Sequence, residues 1–335
     1  MRMSRELVAD LAGVSLGDGR PVAIMGVINV SPESFHAGSV HRDADVLPTA
    51  LAMVEAGAVL IDVGARSTAP YLATEITAAE ETSRLVRAIE RLAAKLPVPI
   101  SADTCRAEPA RAALEAGARV INDVSTLRDP AVARLVASHS ASLVLMAAAP
   151  VGERRGGRGA GRGPSDHFPS PAVGRQEFPA SSGAARRRTE GTGHPGPRPA
   201  PRPPRRSPAP VVIVRNILAD GLRRARAAGI PLRRIVVDPG IGFFRDVGMP
   251  WDEWDARVLG ALASLRSLGR PVCVGVSRKS FIGRILDLRD TSDRLAGSLA
   301  ATAIAVVNGA AVIRTHDVAE TRDAVRVAER LRVRP

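Results

Sequence analysis

Apolar and polar positions along the 335-residue chain follow two alternating patterns. Short runs of apolar, often β-branched residues predict strands, and longer stretches whose apolar positions recur at helical spacing predict helices. The predicted strands lie near residues 22–29, 58–63, 98–103, 119–122, 142–146, 234–238, 271–275 and 311–314. The predicted helices lie at about 43–56, 78–95, 107–117, 129–138, 211–229, 252–268, 291–308 and 318–332.

Eight strands that each precede a helix predict one fold class. Every helical stretch is long enough for the right-handed crossover that joins neighbouring parallel strands. The pattern therefore predicts an α/β fold of the (β/α)₈ TIM-barrel type, with a closed parallel eight-stranded barrel in a single domain over residues 1–335. An open doubly wound sheet is the alternative, and it is disfavoured because no GxGxxG turn follows the first strand.

Several predicted helices end in a glycine just before the next strand. These glycines are Gly57, Gly117, Gly229 and Gly309. The residue after a helix C-terminus often adopts a positive φ, which glycine tolerates without steric cost. We therefore expect a left-handed backbone at these positions.

Residues 151–210 interrupt the rhythm between the fifth strand and its helix. The segment has Arg-, Pro-, Gly- and Ser-rich runs with almost no aliphatic residues, which cannot bury enough surface to offset chain entropy. We expect a disordered insertion. Its twelve arginines against four acidic residues supply most of the net charge of +13, so the folded part is only mildly basic. A nucleic-acid-attracting tether is one interpretation; a neutral insertion or a gene-model error is favoured, and a nucleic-acid partner is not expected.

The remaining composition favours a cytoplasmic protein. Cys105 and Cys273 lie in apolar runs without the spacing of a zinc site or a redox dithiol, so we expect buried reduced thiols. The N-terminus lacks the uninterrupted apolar core of a signal peptide. The apolar runs are too short or too interrupted by charge to cross a bilayer.

Polar side chains follow the predicted strands at their C-terminal ends, which converge on one mouth in a parallel barrel. They follow seven of the eight strands: Asn29, Asp62, Asp103, Asn122, Asp238, Lys279, and Arg314 with His316. A single acid after a strand is more often a helix cap or a turn former, and for Asp62 a turn or supporting role is favoured. The set as a whole instead predicts a ligand site.

The chemistry of this set suggests a site with two ends. The carboxylates of Asp103 and Asp238 and the carboxamide of Asn122 suit a flat heterocycle rich in N–H groups, such as a pterin or a purine-like ligand. The cationic and donor groups that follow the last two strands suit a phosphorylated or otherwise anionic group.

Seven segments resemble, in order, the motifs of the dihydropteroate synthase family of pterin-binding enzymes. They are residues 25–35, 62–68, 101–104, 121–124, 238–243, 277–280 and 314–317, and the match spans about residues 20–332 apart from the insertion. The resemblance implies a transferase that condenses 6-hydroxymethyl-7,8-dihydropterin pyrophosphate with 4-aminobenzoate. The products would be dihydropteroate, for folate biosynthesis, and pyrophosphate.

The resemblance also implies the residues that hold the pterin. Asp103, Asn122, Asp238 and Lys279 correspond to the pterin-binding set. Phe243 corresponds to an apolar wall of this site beside the second substrate.

A second group of residues corresponds to the remaining ligands. Asn29, Arg314 and His316 match the pyrophosphate end, where Mg²⁺ would bridge phosphate oxygens and Asn29 would be its protein ligand. Thr68 and Ser280 match contacts to the aminobenzoate and its carboxylate, with Ser280 near a helix N-terminus that favours anions.

The implied mechanism is substitution at the pterin methylene carbon. Asp103, Lys279 and Arg314 are the implied catalytic residues, and catalysis would rest on stabilising the departing negative charge and positioning the amine. The family also implies a homodimer formed through helices on the outside of the barrel.

Some loop positions depart from the commonest bacterial pattern of the family. Ala69 stands where an arginine is usual, and Ala147 follows the fifth strand in place of a polar motif, although Arg66 could replace the missing arginine. The first two motifs instead resemble a divergent, archaeal-like branch. The amine acceptor is therefore left open. The alternatives are a pterin-binding methyltransferase-like protein, a family member with a different acceptor, and a non-catalytic pterin- or nucleic-acid-binding protein.

Overall fold

The protein is a closed barrel of eight parallel strands in the computed structural model, which describes residues 6–31, 44–67, 76–149, 208–245 and 247–332. The strands of the barrel are β3 (Ala23–Asn29), β4 (Leu60–Gly64), β5 (Ile100–Asp103), β6 (Val120–Asp123), β7 (Ser142–Met146), β8 (Ile235–Asp238), β9 (Val272–Gly275) and β10 (Ala310–Thr315). Each pairs with its sequence neighbour, and β10 closes the barrel against β3. The predicted fold class and all eight strands are confirmed.

The helices lie between these strands at the predicted places. They are α1 (Val46–Glu55), α2 (Ala78–Ala93), α3 (Ala107–Glu115), α4 (Pro130–Ser138), α5 (Pro210–Ala227), α6 (Trp251–Gly260), α7 (Ser280–Leu286), α8 (Leu295–Val307) and α9 (Val318–Leu331).

Two helices differ from the prediction. The helix expected over 252–268 ends at Gly260, a poor helix former, and continues as a 3₁₀-helix over Leu262–Leu268. The short helix α7 was not predicted, because seven residues carry too little periodic signal.

The glycines at the helix ends adopt the expected backbone. Gly57, Gly117, Gly229 and Gly309 have φ values of +114°, +122°, +87° and +101°. Each reverses the chain from a helix into the next strand, so the prediction is confirmed.

An antiparallel hairpin that the sequence analysis did not predict lies at the N-terminal end of the barrel. Its strands are β1 (Val8–Leu11) and β2 (Val14–Gly17). Leu11 and Leu16 are fully buried and pack against apolar residues that point into the barrel. Strands of four residues give little alternation to recognise, which explains the omission.

The insertion is flanked by a strand and a helix of the barrel. Strand β7 ends at Met146 and α5 begins at Pro210, so the insertion does lie between the fifth barrel strand and its helix. Residues 150–207 lie outside the described residues, and their disorder and the single-domain assignment remain predictions. The predicted boundary at 210 is corrected by about three residues, because 208–210 already lead into α5, with proline at its first position.

No helix in the described parts of the chain is long and apolar enough to cross a membrane.

Candidate active site

The strand-end residues identified in the sequence converge at the C-terminal mouth of the barrel. Side chains on alternate positions of a strand share one face, so residues two apart both point inward. On four strands an inward apolar residue is followed two positions later by a polar one: Leu60 by Asp62, Val120 by Asn122, Val236 by Asp238, and Val312 by Arg314. The inward face of each of these strands therefore contributes one apolar residue to the barrel interior and one polar residue to the site.

Arg314 forms hydrogen bonds with two of the acids at the mouth, Asp62 and Asp103. Its Nε donates to Asp62 Oδ2 at 2.6 Å and its Nη2 to Asp103 Oδ2 at 2.9 Å. Asn122 Nδ2 also donates to Asp62 Oδ2, at 3.1 Å. Asp62, for which a turn or supporting role was favoured, thus lies at the centre of the cluster. Arg314, expected at the phosphate end, pairs with the acid beside the expected pterin site.

Asp103 is the acid whose protonation is most sensitive to this arrangement. Burial raises its pKa to about 7, with a further rise from the charge of Asp62 and an opposing effect from Arg314. Its Oδ1 is buried and has no hydrogen-bond partner within the described residues. A buried acceptor without a partner costs free energy, so this oxygen is available to a ligand donor.

Asp238 and the turn that follows it form the adjacent wall. Asp238 Oδ1 accepts a hydrogen bond from the Gly240 N–H at 2.8 Å, which fixes one carboxylate oxygen. Burial raises the pKa of Asp238, against the lowering effects of Gly240, Lys279 and Arg314. Its side chain is buried at the rim of the same mouth.

Lys279 projects onto this wall. Its Nζ lies 4.6 Å from the centre of the Phe243 ring, a cation–π contact. Burial, together with the positive charge of Arg314, lowers the pKa of Lys279 to about 8. The predicted pterin residues Asp103, Asn122, Asp238, Lys279 and Phe243 are thus brought together.

The residue before Lys279 fixes how the lysine enters the site. Arg278 has a φ of +53°, an uncommon conformation for a residue with a side chain. Its guanidinium donates to both oxygens of Asp317, at 2.9 and 2.6 Å, and its N–H donates to Ser298 Oγ at 2.8 Å. Sequence reasoning gave Arg278 and Asp317 no roles, although both lie in matched motifs.

The predicted phosphate side contains a polar chain. The His316 Nδ1 lies 3.0 Å from Ser277 Oγ, and its Nε2 lies 3.4 Å from Asn29 Nδ2. If the amide donates to Nε2, then Nδ1 carries the proton and donates to the serine oxygen. Asn29 and His316, both predicted for the pyrophosphate end, are therefore neighbours.

Ser280 begins α7 and is joined to a residue that the sequence analysis missed. Arg245 Nη2 donates to Ser280 Oγ at 2.7 Å, and the Arg245 guanidinium stacks over Trp251 at 4.0 Å from the ring centre. The predicted contact Thr68, and Ala69 beside it, lie outside the described residues.

Arg66 is held by a buried acid. Its Nε pairs with Glu81 at 3.2 Å, and Glu81 also accepts from Arg106 at 3.1 Å and from Thr104 Oγ1 at 2.6 Å. One buried carboxylate thus faces two guanidinium groups. The position of Arg66 is compatible with the suggested replacement of the missing arginine.

Comparisons with known proteins agree with this geometry. The model of the family described as "Pterin binding enzyme" matches residues 25–316. The dihydropteroate synthase of Escherichia coli K12 is 31% identical over 318 residues, covering 95% of this chain and 94% of that protein.

Two solved structures of Xanthomonas albilineans dihydropteroate synthase align with TM-scores of 0.71 and 0.70. The first, with 4-aminobenzoic acid, is 33% identical and covers 99% of this chain and all of that chain. The second, with 7,8-dihydropteroate, is 31% identical and covers 98% and 100%. The chain belongs to the family of pterin-binding enzymes that includes the dihydropteroate synthases.

Proposed function

We propose that the protein is a transferase that joins a dihydropterin pyrophosphate to 4-aminobenzoate, giving dihydropteroate and pyrophosphate. The observation that carries the proposal is the cluster of the buried Asp103, Asn122 and Asp238 with the half-buried Lys279 at one barrel mouth, beside the Phe243 ring. These residues offer carboxylate acceptors, an amide and a cation around an aromatic wall, which matches the donors, carbonyl and flat ring of a pterin. The relatives crystallised with 4-aminobenzoic acid and with 7,8-dihydropteroate support the same assignment.

The buried residues would act on the pterin mainly by holding its charge distribution. Asp238 and Asn122 would accept and donate along the ring edge, and the Lys279 ammonium would donate to a ring oxygen or nitrogen. Asp103, with its unsatisfied Oδ1, would face the part of the ring that becomes positive as the pyrophosphate departs. A preorganised negative group there costs no reorganisation during the reaction.

The bond changes need little acid–base chemistry at carbon. The methylene C–O bond breaks and its electron pair leaves with pyrophosphate, while the amine nitrogen supplies the pair for the new C–N bond and then loses a proton. Asn29, Ser277 and His316 lie on the side proposed for the leaving group. Their donors would favour the departing negative charge, with Arg314 adding positive charge nearby.

We propose that Mg²⁺ accompanies the pyrophosphate, with Asn29 as its protein ligand. Oxygen is the donor that Mg²⁺ prefers. The Asn29 Oδ1 lies 3.2 Å from where a Cβ of Gly64 would be, so the missing side chain leaves room beside this oxygen. The described residues contain no cluster of three His, Cys, Asp or Glu that could hold a metal. When bound, the ion would neutralise phosphate charge.

We propose that the aminobenzoate binds against Ser280, Thr68 and the Phe243 ring. The Ser280–Arg245 pair supports this position, because a guanidinium stacked on Trp251 can bind a carboxylate in a fixed orientation.

A homodimer and a cytoplasmic location belong to the same proposal. Exposed aliphatic side chains cluster on the packed pair α8 and α9: Ile304, Val307, Val327 and Leu331. Large apolar residues gathered on one surface favour a protein partner, here a second copy. A Val327→Glu, Leu331→Glu double variant is expected to be monomeric by light scattering. Cys105 and Cys273 are free thiols, which suits a reducing compartment.

The assignment is tested by pyrophosphate release from purified protein with dihydropterin pyrophosphate, Mg²⁺ and 4-aminobenzoate. We expect amine-dependent release, a product with the mass of dihydropteroate, and loss of both in Lys279→Ala. Tight pterin binding without amine-dependent release would replace 4-aminobenzoate with another acceptor, the variant that the Ala69 departure suggests. Failure to bind the pterin at all would refute the proposal.

A further inference from the structure

A buried acid on α6 lies behind the pterin wall and has no role in the function proposed above. Asp255 is fully buried in the middle of this helix. Its Oδ1 accepts a hydrogen bond from the Gly242 N–H at 2.9 Å. Its Oδ2 is buried without a hydrogen-bond partner in the described part of the chain. Burying a carboxylate is costly, so a retained acid here needs a compensating interaction.

The Gly242 backbone that is hydrogen-bonded to Asp255 also lies against the Lys279 side chain. Gly242 has a φ of +85°, and a Cβ there would lie 3.2 Å from Lys279 Cδ and 3.5 Å from its Nζ. The next residue, Phe243, carries the ring under the Lys279 ammonium. After it, Phe244 stacks on Trp254 of α6 with ring centres 5.1 Å apart. Helix α6 therefore contacts the turn at Gly242 and Phe244 and holds it against Lys279.

We propose that Asp255 is a positioning residue for the pterin site: it fixes the Gly242–Phe243 turn against Lys279 and keeps this half-buried lysine in its ammonium form. Asp255 contacts neither the expected substrate volume nor the reacting atoms, so it acts through Lys279. The inference rests on the proposed function for its catalytic meaning. Its structural part can be tested without any substrate.

The charges around both groups support the inference. Lys279 is affected by the positive charge of Arg314 and by the negative charges of Asp238, Asp255 and Asp103. Among the described residues, none of these carboxylates forms an ion pair with Lys279 within 4 Å.

Each of the three acids has a fixed contact of its own, and that of Asp255 is the Gly242 N–H. Asp103 pairs with Arg314, and Asp238 binds the Gly240 N–H. Asp255 is influenced by Lys279, Arg245 and Asp252, and burial raises its pKa to about 6. The charges of Asp238 and Asp255 both favour the ammonium form of Lys279. Asp255 differs in that it also holds the Gly242 N–H in the turn that packs against this lysine.

The chain offers an unusually clean test, because Lys95 and Lys279 are its only lysines. Protein labelled with ¹³C at lysine Cε would give two NMR signals, whose titration reports each ammonium separately. We expect the pKa of Lys279 to fall by about one unit in Asp255→Asn, since an adjacent opposite charge is removed. The Lys95 signal is the internal reference.

Asp252→Asn is the matched control, because it makes the same substitution one helical turn away on α6. We expect it to leave the Lys279 titration unchanged. In kinetic assays at pH 9, Asp255→Asn should raise KM for the pterin pyrophosphate about tenfold, with a smaller change in kcat, because a pKa lowered by one unit leaves about one tenth as much Lys279 in its ammonium form. The control should show neither effect.

An unchanged Lys279 titration in folded Asp255→Asn would overturn the proposal, as would an equal shift in Asp252→Asn. If Asp255→Asn does not fold, Asp255→Glu serves instead. It keeps the charge but moves the hydrogen bond, so the proposal requires a near-normal Lys279 titration with a raised KM, and a lowered Lys279 pKa would count against it. Because the titration uses no substrate, a protein that makes no dihydropteroate would still decide the role of Asp255.

Discussion

The two ends of the barrel are built by the same strands and have opposite character. At the N-terminal end, Leu11 and Leu16 of the hairpin close an interior filled by apolar residues such as Met25 and Leu60. At the C-terminal end, two residues further along the strands, the interior contains acids, an amide and a guanidinium. The distance between the two environments is about 7 Å along a strand.

The apolar end of the barrel stabilises the fold, whereas the buried charges of the polar end reduce its stability. The apolar end excludes water at no electrostatic cost. The polar end buries Asp62, Asp103 and Asp238, and desolvation raises the pKa of the last two. Arg314 offsets part of this cost by pairing with Asp62 and Asp103. Changes at the first end should therefore affect mainly folding, and changes at the second mainly the charge balance of the site.

Removing the cation of the polar end should have the largest effect. Arg314→Met leaves two buried carboxylates without their partner, and breaking a buried pair in this way typically costs about 3–5 kcal/mol. We expect a loss of that size in the free energy of unfolding, measured by denaturant titration at pH 8, together with loss of pterin binding.

The same measurement at lower pH separates charge from packing. If the deficit of Arg314→Met comes from uncompensated carboxylates, it should shrink at pH 5, because burial raises the pKa of Asp103 to about 7 and this carboxyl is then largely neutral. A deficit that stays constant from pH 8 to pH 5 would show that the guanidinium matters by its volume alone.

A cavity at the apolar end should come next. Leu16 is fully buried under the barrel, and Leu16→Ala is expected to lower the free energy of unfolding by about 3 kcal/mol. At temperatures where the variant is folded, kcat/KM should change less than twofold. Circular dichroism and steady-state kinetics check both parts, and a large fall in kcat/KM of the folded variant would break the division between the two ends.

The buried acid of α6 should show a smaller, pH-dependent effect. Burial raises the pKa of Asp255 to about 6, so the unfolded state binds fewer protons than the folded state between about pH 4 and 6. The contribution of this group to stability is thus present at low pH and is lost as the pH rises through 6. Relative to wild type, Asp255→Asn should become more stable from pH 4 to pH 7 by on the order of 2 kcal/mol. Parallel stability curves would contradict this assignment.

The insertion should have the smallest effect. Replacing residues 151–207 by a Gly/Ser linker of about ten residues is expected to change kcat/KM less than twofold, because no predicted site residue lies in the segment. The test compares steady-state kinetics of the two proteins. A large loss of turnover would show that the segment takes part in the site, whereas loss of RNA binding with intact turnover would favour the tether interpretation.

The amino-acid sequence was enough to predict the barrel and the polar residues at the ends of its strands. Strand and helix periodicity gave eight strands in the right places, since each signal is local. The polar residues at strand ends could be assigned to one mouth because parallel strands leave no other arrangement.

Which of those residues contact one another became apparent only from the folded structure. Arg314 meets Asp62 and Asp103 across 252 and 211 residues of sequence, and Asp255 meets Gly242 by a turn of α6 that no motif marks. The hairpin β1–β2 and the left-handed Arg278 were equally invisible, because each depends on packing against distant strands and helices. Sequence pattern specifies which face a side chain occupies, whereas pairing, burial and the resulting pKa shifts arise only when separate segments are brought within a few ångströms.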